Sequence, residues 1–421
     1  MTHISRTNNL KLSNRFSCKL VAISIIALLS TYEHASSRDD EIDLLQPNAI
    51  ASLPVALEDA SLVSETGSIV RRGSIFSEAA TSLTLDESQI VRILCLDGGG
   101  ACGIAMARFV QKLTEQTGKS VPEMFHLIAG TSAGGMLAAA YTLPAEAGDP
   151  KKSPPKYSSD FIFHMMMEKT KTIFQKSWSL WGLLGPRYKS EPVEKFTTQY
   201  FGDATFDKTT TDVLITTFDI TAGKPKIIKS WDDRETFYTR NVLESTSAAP
   251  TYFAPRHIFP VAATATPHLG YVLSDGGTCA NNPTACALAS ARKLYPTATQ
   301  YEIVSLGTGN ATRPLHYTKM RNAGLLGWGR HLIDIFMSGQ SAHTDYLMET
   351  LFRPEEYSRW NPVLAAENAA LDNSSDNNLR DLVQAEDELI ASRRGEFERL
   401  AARLSKPKAD LVPIYSTARR A

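Results

Sequence analysis

From residue 91 onward, apolar and polar positions come in blocks of repeating form. Residues 91–96 (VRILCL) are almost wholly apolar and stop at Asp97, Gly98, Gly99 and Gly100. Apolar residues then recur at helical spacing from residue 104 to a stop signal at Gly118. The form returns at 125–130 (FHLIAG), followed by a helix-forming run at 136–143. Residues 212–220 and 226–231, joined by the turn TAGKP, read as a hairpin or a strand pair. Residues 242–255 read as a helix ending in a turn, and 270–277 (GYVLSDGG) as another strand ending in glycines. A helix with Pro283 near its start and a strand-to-glycine turn at 301–309 complete the series. Strands ending in glycines and alternating with helices predict an α/β fold with a parallel sheet. Beyond it, residues 379–404 carry Leu379, Leu382, Val383, Leu389, Ile390, Phe397 and Leu400, which predicts one helix packing a single face on the body.

The first 90 residues follow another pattern. Arg6, Lys11, Arg15 and Lys19 precede an uncharged apolar run at 20–30, and Ala35 and Ser37 follow it. This reads as a secretory signal over residues 1–37 and implies export. The run is short of the ~20 residues that span a bilayer, although an N-terminal membrane anchor or a cytosolic amphipathic tail has the same outline. Residues 38–90 are polar, then Ser/Thr-rich, and read as a linker or N-terminal extension. The expected organisation is thus 1–37 signal, 38–90 extension, 91–345 catalytic domain and 346–421 helical C-terminal region. Residues 144–159, rich in Pro and Lys, read as a surface insertion.

Composition narrows the function. The formal net charge is -1, and no basic stripe with interleaved aromatics is present, which argues against nucleic acid as a partner. No Cys/His spacing suits zinc. Beyond Cys18 in the leader, Cys95, Cys102, Cys279 and Cys286 could form two disulfides, but buried free thiols are the plainer reading.

The candidate chemistry starts at Gly130-Thr131-Ser132-Ala133-Gly134, a strand-to-helix turn of the kind that presents a nucleophilic hydroxyl. Such a hydroxyl needs a base. His126 lies six residues before Ser132 on the same strand, roughly 20 Å away at ~3.3 Å per residue. His268 stands in a similar relation to Asp275, and His257, His316, His331 and His343 lack a distinctive glycine-rich context. The glycine-ended strands offer a different base. Sites in open parallel sheets form outside the carboxyl ends of strands, where Ser132, Asp275 and the Gly98–Gly100 loop would meet. Asp275 could take the Ser132 proton directly if desolvation raised its pKa from ~3.9. The backbone N–H groups of Gly98, Gly99 and Gly100 could stabilise an oxyanion, assisted by the positive end of the next helix. Asp97 reads as structural, ordering its own glycine loop through side-chain to backbone hydrogen bonds. A phosphate or dinucleotide loop is a weaker reading of the same glycines, because the Lys-Ser/Thr of the one and the suitably placed acid of the other are missing.

DGGGACG, GTSAGG and DGG, in this order, resemble the motifs of the patatin-like phospholipases, and TSAAPTYF (246–253) and SLGTG (305–309) are similar to further signatures of that family. The resemblance covers roughly residues 91–345. It implies a three-layer α/β/α sandwich with a mostly parallel central sheet, plus C-terminal helices. It also implies hydrolysis of lipid acyl esters by a Ser–Asp dyad, without a metal or other cofactor. Carried over by motif, Ser132 is the nucleophile, Asp275 the base and Gly98, Gly99 and Gly100 the oxyanion loop, with Gly103, Gly130, Gly134, Gly276 and Gly277 as motif glycines. The implied substrate is a phospholipid or lysophospholipid at a membrane or micelle surface, with an activating protein partner left open. His126 departs from the family, in which Asp often precedes this strand, but it is far from the chemistry. Cys102 and Cys279, inside the motif loops, raise the question of redox sensitivity. The segments WSLWGLLGPRY and GLLGWGRHLIDIFM read as core packing or as an interfacial surface or lid. Two other functions stay open: a non-enzymatic storage or interaction role, and an esterase or thioesterase acting on small esters.

Overall fold

The computed structural model describes residues 89–177, 185–261, 270–310 and 315–415. The expected leader, nearly all of the extension, residues 178–184 of the Trp-rich segment and His268 lie outside them.

The glycine-ended apolar runs form the middle of a sheet. Its strands are β1 (Ile90–Leu96), β2 (Leu127–Gly130), β3 (Asp212–Asp219), β4 (Lys224–Lys229), β5 (Arg256–Ile258), β6 (Tyr271–Asp275), β7 (Gln300–Leu306) and β8 (Tyr357–Trp360). They lie in the order β5-β6-β3-β2-β1-β7-β8, with β4 also paired to β3. β3, β2, β1, β7 and β8 are mutually parallel. β4 runs antiparallel to β3, as the expected hairpin requires.

Successive residues of a strand face opposite sides of the sheet, and here both sides are apolar. Leu94, Leu96, Ile128, Val213, Ile215, Val304 and Leu306 belong to one core. Val91, Ile93, Cys95, Leu127, Ala129, Leu214 and Ile303 belong to the other. The first core is covered by α1 (Gly103–Thr117), α2 (Ala133–Thr142), α3 (Ser159–Ile173), α4 (Glu191–Phe201) and α5 (Thr239–Thr246). The second is covered by α6 (Thr284–Leu294) and by Met348 of α7 (Leu325–Leu351). α8 (Asp376–Ser392) and α9 (Arg394–Leu404) return to the first core. The result is the expected α/β sandwich with helices around a central sheet.

Local signals set the ends of these elements. Gly118 terminates α1 in a left-handed conformation (φ 67°), as its position in the sequence suggests. The Ser158 hydroxyl caps α3 by accepting the Phe161 N–H at 3.1 Å. α2 is buried at every position, so its alanines let it sit between sheet and helices without a polar face.

Three features differ from the sequence reading. β6 runs antiparallel to both β3 and β5, although its apolar run resembles the parallel strands. The single helix expected over 379–404 is two, because Arg393 leaves helical geometry (φ -113°, ψ 30°). Its guanidinium donates to the Arg359 carbonyl at 2.7 Å and lies 4.2 Å from the centre of the Trp360 ring. The region after 345 is also more than helices, since it supplies β8. It belongs to the same unit as the sheet, Ser82–Ala421.

Candidate active site

β3 brings the two halves of the site together. Gly130, the last residue of β2, pairs with Ile215. Asp275, the last residue of β6, pairs with Thr217. Because β2 and β6 run in opposite directions along β3, their carboxyl ends point at each other across Thr216. Ser132 and Asp275 therefore converge although their strands are not parallel.

Ser132 occupies the turn between β2 and α2 with φ 53° and ψ -120°, a conformation that costs a non-glycine residue of order 1–3 kcal/mol. The turn is tight enough to need its glycines. A Cβ on Gly134 would stand 2.2 Å from the Leu96 carbonyl oxygen, and one on Gly130 would stand 2.4 Å from the Gly134 carbonyl oxygen. Gly103, at the start of α1, packs against Ala133.

Asp275 is fully buried, and burial pushes its pKa up to about 7. A hydrogen bond from the Gly277 N–H at 2.6 Å and the Ser132 hydroxyl act in the opposite direction. The carboxylate is thus poised near neutrality, where a general base is most effective. Gly276 and Gly277 form the turn that follows, and a Cβ on Gly276 would collide with Thr216.

The glycine loop divides its work. The Gly98 N–H donates to the Asn281 carbonyl at 3.0 Å, so Gly98 is not an oxyanion donor as the sequence suggested. Its own carbonyl accepts from Asn281 Nδ2 at 3.3 Å and Thr308 Oγ1 at 2.9 Å. Gly98 is the anchor of the loop. Gly99 and Gly100 line the same cavity as Ser132 and Asp275, and among the described residues neither has a backbone acceptor for its N–H. Ala133, the first residue of α2, also lines this cavity, and the first N–H groups of a helix have no intrahelical acceptor. The residue after the nucleophile is a recognised donor in such turns, so Ala133 could have been inferred from the motif.

Asp97 does not order its own loop. It faces the guanidinium of Arg359 on β8, with nitrogen–oxygen distances of 2.6 and 3.1 Å, and the same guanidinium reaches Asp345 at 3.1 Å. This buried pair fixes the start of the glycine loop to the C-terminal strand.

His126 stands at the other end of the sheet. Its Nδ1 accepts the Arg92 N–H and its Nε2 faces the Ala409 carbonyl, both at 2.9 Å. Burial lowers its pKa to about 4, so it is a neutral structural residue. Among the described residues, Cys95, Cys102, Cys279 and Cys286 form no disulfide. Burial raises Cys279 to about 12, which is unlike a reactive, thiolate-forming cysteine.

The cavity beside Ser132 has a volume of about 60 Å³ and an almost wholly apolar wall, including Met136, Met166, Ile173, Phe174, Phe253 and Met337. A second, more polar cavity of about 270 Å³ lies across Gly99. Among the described residues there is no cluster of three or more His, Cys, Asp or Glu placed to hold a metal ion, and no helix is long and apolar enough to cross a membrane.

A serine in a strained strand-to-helix turn, a buried carboxyl with its pKa raised to about 7 beside it and backbone N–H groups facing the same cavity make up the candidate site. Residues 94–288 match the family described as Patatin-like phospholipase. The chain is 29% identical over 314 residues to Patatin-like protein 2 of Oryza sativa subsp. indica, covering 65% of this chain and 76% of that protein. It is 28% identical over 342 residues to Patatin-like protein 4 of Arabidopsis thaliana, covering 72% and 83%. It is also 28% identical over 346 residues to Patatin-T5 of Solanum tuberosum, covering 74% and 86%. The crystal structure of VipD from Legionella pneumophila aligns with 72% of this chain and 67% of its own at 11% identity, with a TM-score of 0.29. Over residues 94–288 the chain is thus similar to the patatin-like phospholipases.

Proposed function

We propose that the protein is a lipid acyl hydrolase of phospholipase A or lysophospholipase type, working through a Ser132–Asp275 dyad. Similarity to the patatin-like phospholipases supports lipid acyl hydrolysis in general. The observation that carries the finer reading is the convergence of Ser132 with a buried Asp275 of pKa about 7 at the mouth of an apolar cavity. Ser132 Oγ attacks the acyl carbonyl as Asp275 takes its proton. The negative charge on the carbonyl oxygen is met by the N–H groups of Gly99, Gly100 and Ala133. As the C–O bond breaks, Asp275 returns the proton to the leaving alcohol and the acyl group stays on Ser132. Water, deprotonated by Asp275, then attacks that ester and releases the fatty acid and the free serine.

The apolar cavity would hold the acyl chain. On α7, Met337 lines it while Trp328 and Phe336 are exposed, which supports approach to a membrane or micelle surface. The basic and apolar pattern of residues 1–37 supports export as the route there.

The test is fatty-acid release from phospholipid vesicles in the presence of chelator, with Ser132→Ala and Asp275→Asn beside the wild type. Both variants are expected to lose at least ~10³-fold in kcat, as removal of a nucleophile or its base typically does. Full activity in Asp275→Asn would send the search for a base elsewhere. The small cavity favours one second reading, a small-ester esterase. The space open to water-sized groups is about 60 Å³, and the flexible Met136, Met166 and Met337 in its wall can move to admit a longer chain. Rates on monomeric short-chain esters that exceed those on vesicles would support that reading.

A further inference from the structure

We propose that Thr131, Thr216 and Thr246 form a hydroxyl clasp that holds Ser132 in its attacking conformation, with Thr246 as the principal positioning residue. The inference rests on the dyad reading above and extends it to residues that touch no substrate.

All three threonines have no solvent exposure, and none lines the cavity. The Ser132 N–H donates to Thr246 Oγ1 at 2.8 Å, and that hydroxyl donates its proton to the Thr216 carbonyl at 2.7 Å. Thr131 Oγ1 donates to the Ala280 carbonyl at 2.7 Å. A threonine hydroxyl has one proton, so in the 2.7 Å contact between Thr131 and Thr216 the donor is Thr216. The direction of every bond is thereby fixed.

Thr216 is the hub. It is the β3 residue between the partners of Gly130 and Asp275, where the ends of β2 and β6 face each other. Its carbonyl holds Thr246, which holds Ser132. Its hydroxyl holds Thr131, whose own bond goes to Ala280 in the helical turn Gly277–Ala280 just after Asp275. The nucleophile's turn and the base's turn are therefore tied to one another and to the same strand residue.

The need for such a tie follows from the backbone. Ser132 is one of two non-glycine residues with positive φ among those described. A strained conformation persists only where its surroundings over-determine it. Without Thr246 Oγ1, the buried Ser132 N–H has no acceptor, and the turn gains by relaxing. That motion carries Oγ away from Asp275 and from the carbonyl it must attack.

The experiment compares wild type, Thr246→Val, Thr246→Ser and Thr131→Val. The readouts are kcat and KM for a lipid ester, the second-order rate of Ser132 labelling by a fluorophosphonate probe, and the thermal midpoint. Val keeps the shape of Thr and removes the hydroxyl. Thr246→Val is expected to lose on the order of 10- to 100-fold in kcat and in labelling rate, with KM little changed, because the loss is one of geometry. Thr246→Ser, which keeps the hydroxyl, is expected to stay within about threefold of wild type. Wild-type labelling and kcat in a folded Thr246→Val would overturn the clasp, as would equal losses in Val and Ser. Should Thr246→Val not fold, Thr131→Val decides, since it breaks the tie to Ala280 and leaves the Ser132 N–H bond in place. Labelling slowed by roughly threefold or more supports the clasp, and an unchanged rate rejects it. An inactive wild type, or an active Ser132→Ala, would instead reject the hydrolase reading itself.

Discussion

In the proposed dyad, the surroundings of Asp275 set the working range of the whole site. Desolvation raises its pKa from 3.8 to about 7, and only the ionised form can accept the Ser132 proton. The value of kcat/KM should therefore rise with pH through about 7, fall about tenfold per unit below it, and level off above. A profile flat between pH 5 and 8 would mean that Asp275 is ionised throughout or is not the base. Ser132, Asp275 and the glycines around them were legible because each motif is a local turn with its own signature. Their supports were not. Thr246 reaches Ser132 across 114 residues, Asn281 reaches Gly98 across 183, and Arg359 reaches Asp97 across 262. Asp97 could not be understood without Arg359, and no local pattern announces a contact at that separation.

Among elements, what the sequence conveyed was type and rough extent, not direction. The apolar run at 270–277 looks like those of β1 and β2, yet β6 is antiparallel, since a short buried run carries no mark of which way it will lie. The tail shows the same limit: its apolar spacing continues across Arg393, and the break comes from a contact with Trp360 and Arg359 on β8. α8 also carries a buried charge problem. Glu386 is buried, its Oε1 has no partner among the described residues, and desolvation, with a smaller contribution from Asp387, raises its pKa to about 8. The folded state therefore keeps Glu386 protonated between pH 4.5 and 8, where the unfolded chain releases that proton. Its contribution to stability is complete below pH 4.5 and is lost as pH rises through about 8. Glu386→Gln, neutral at every pH, should raise the thermal midpoint more at pH 8 than at pH 5. A gain of about 1 kcal/mol corresponds to ~2–4 °C. Equal melting curves at both pH values would show that Glu386 titrates normally.

Taken whole, the molecule does not divide where its sequence suggested, between a catalytic domain and a helical appendage. Trp360, Leu379, Leu382, Phe397, Leu400 and Leu404 are buried in the first core. At ~1.5–3 kcal/mol for each buried apolar side chain, their loss would remove about 10 kcal/mol or more, comparable with the entire ~5–15 kcal/mol stability of a folded protein. A chain ending at residue 345 should therefore fail to fold, as read by circular dichroism and by cooperative melting. A truncated chain with a sharp melting transition would show that the C-terminal region is dispensable.

The Asp97–Arg359 pair has a consequence in time as well as in space. Synthesis runs from the amino end, so the ribosome makes the glycine loop, Ser132 and Asp275 well before Arg359. Until β8 emerges and docks beside β7, the carboxylate of Asp97 lacks its counter-charge and the loop lacks its anchor at that side. The order of the residues along the chain thus makes the anchoring of the glycine loop wait for the synthesis of β8, long after the loop itself has been made.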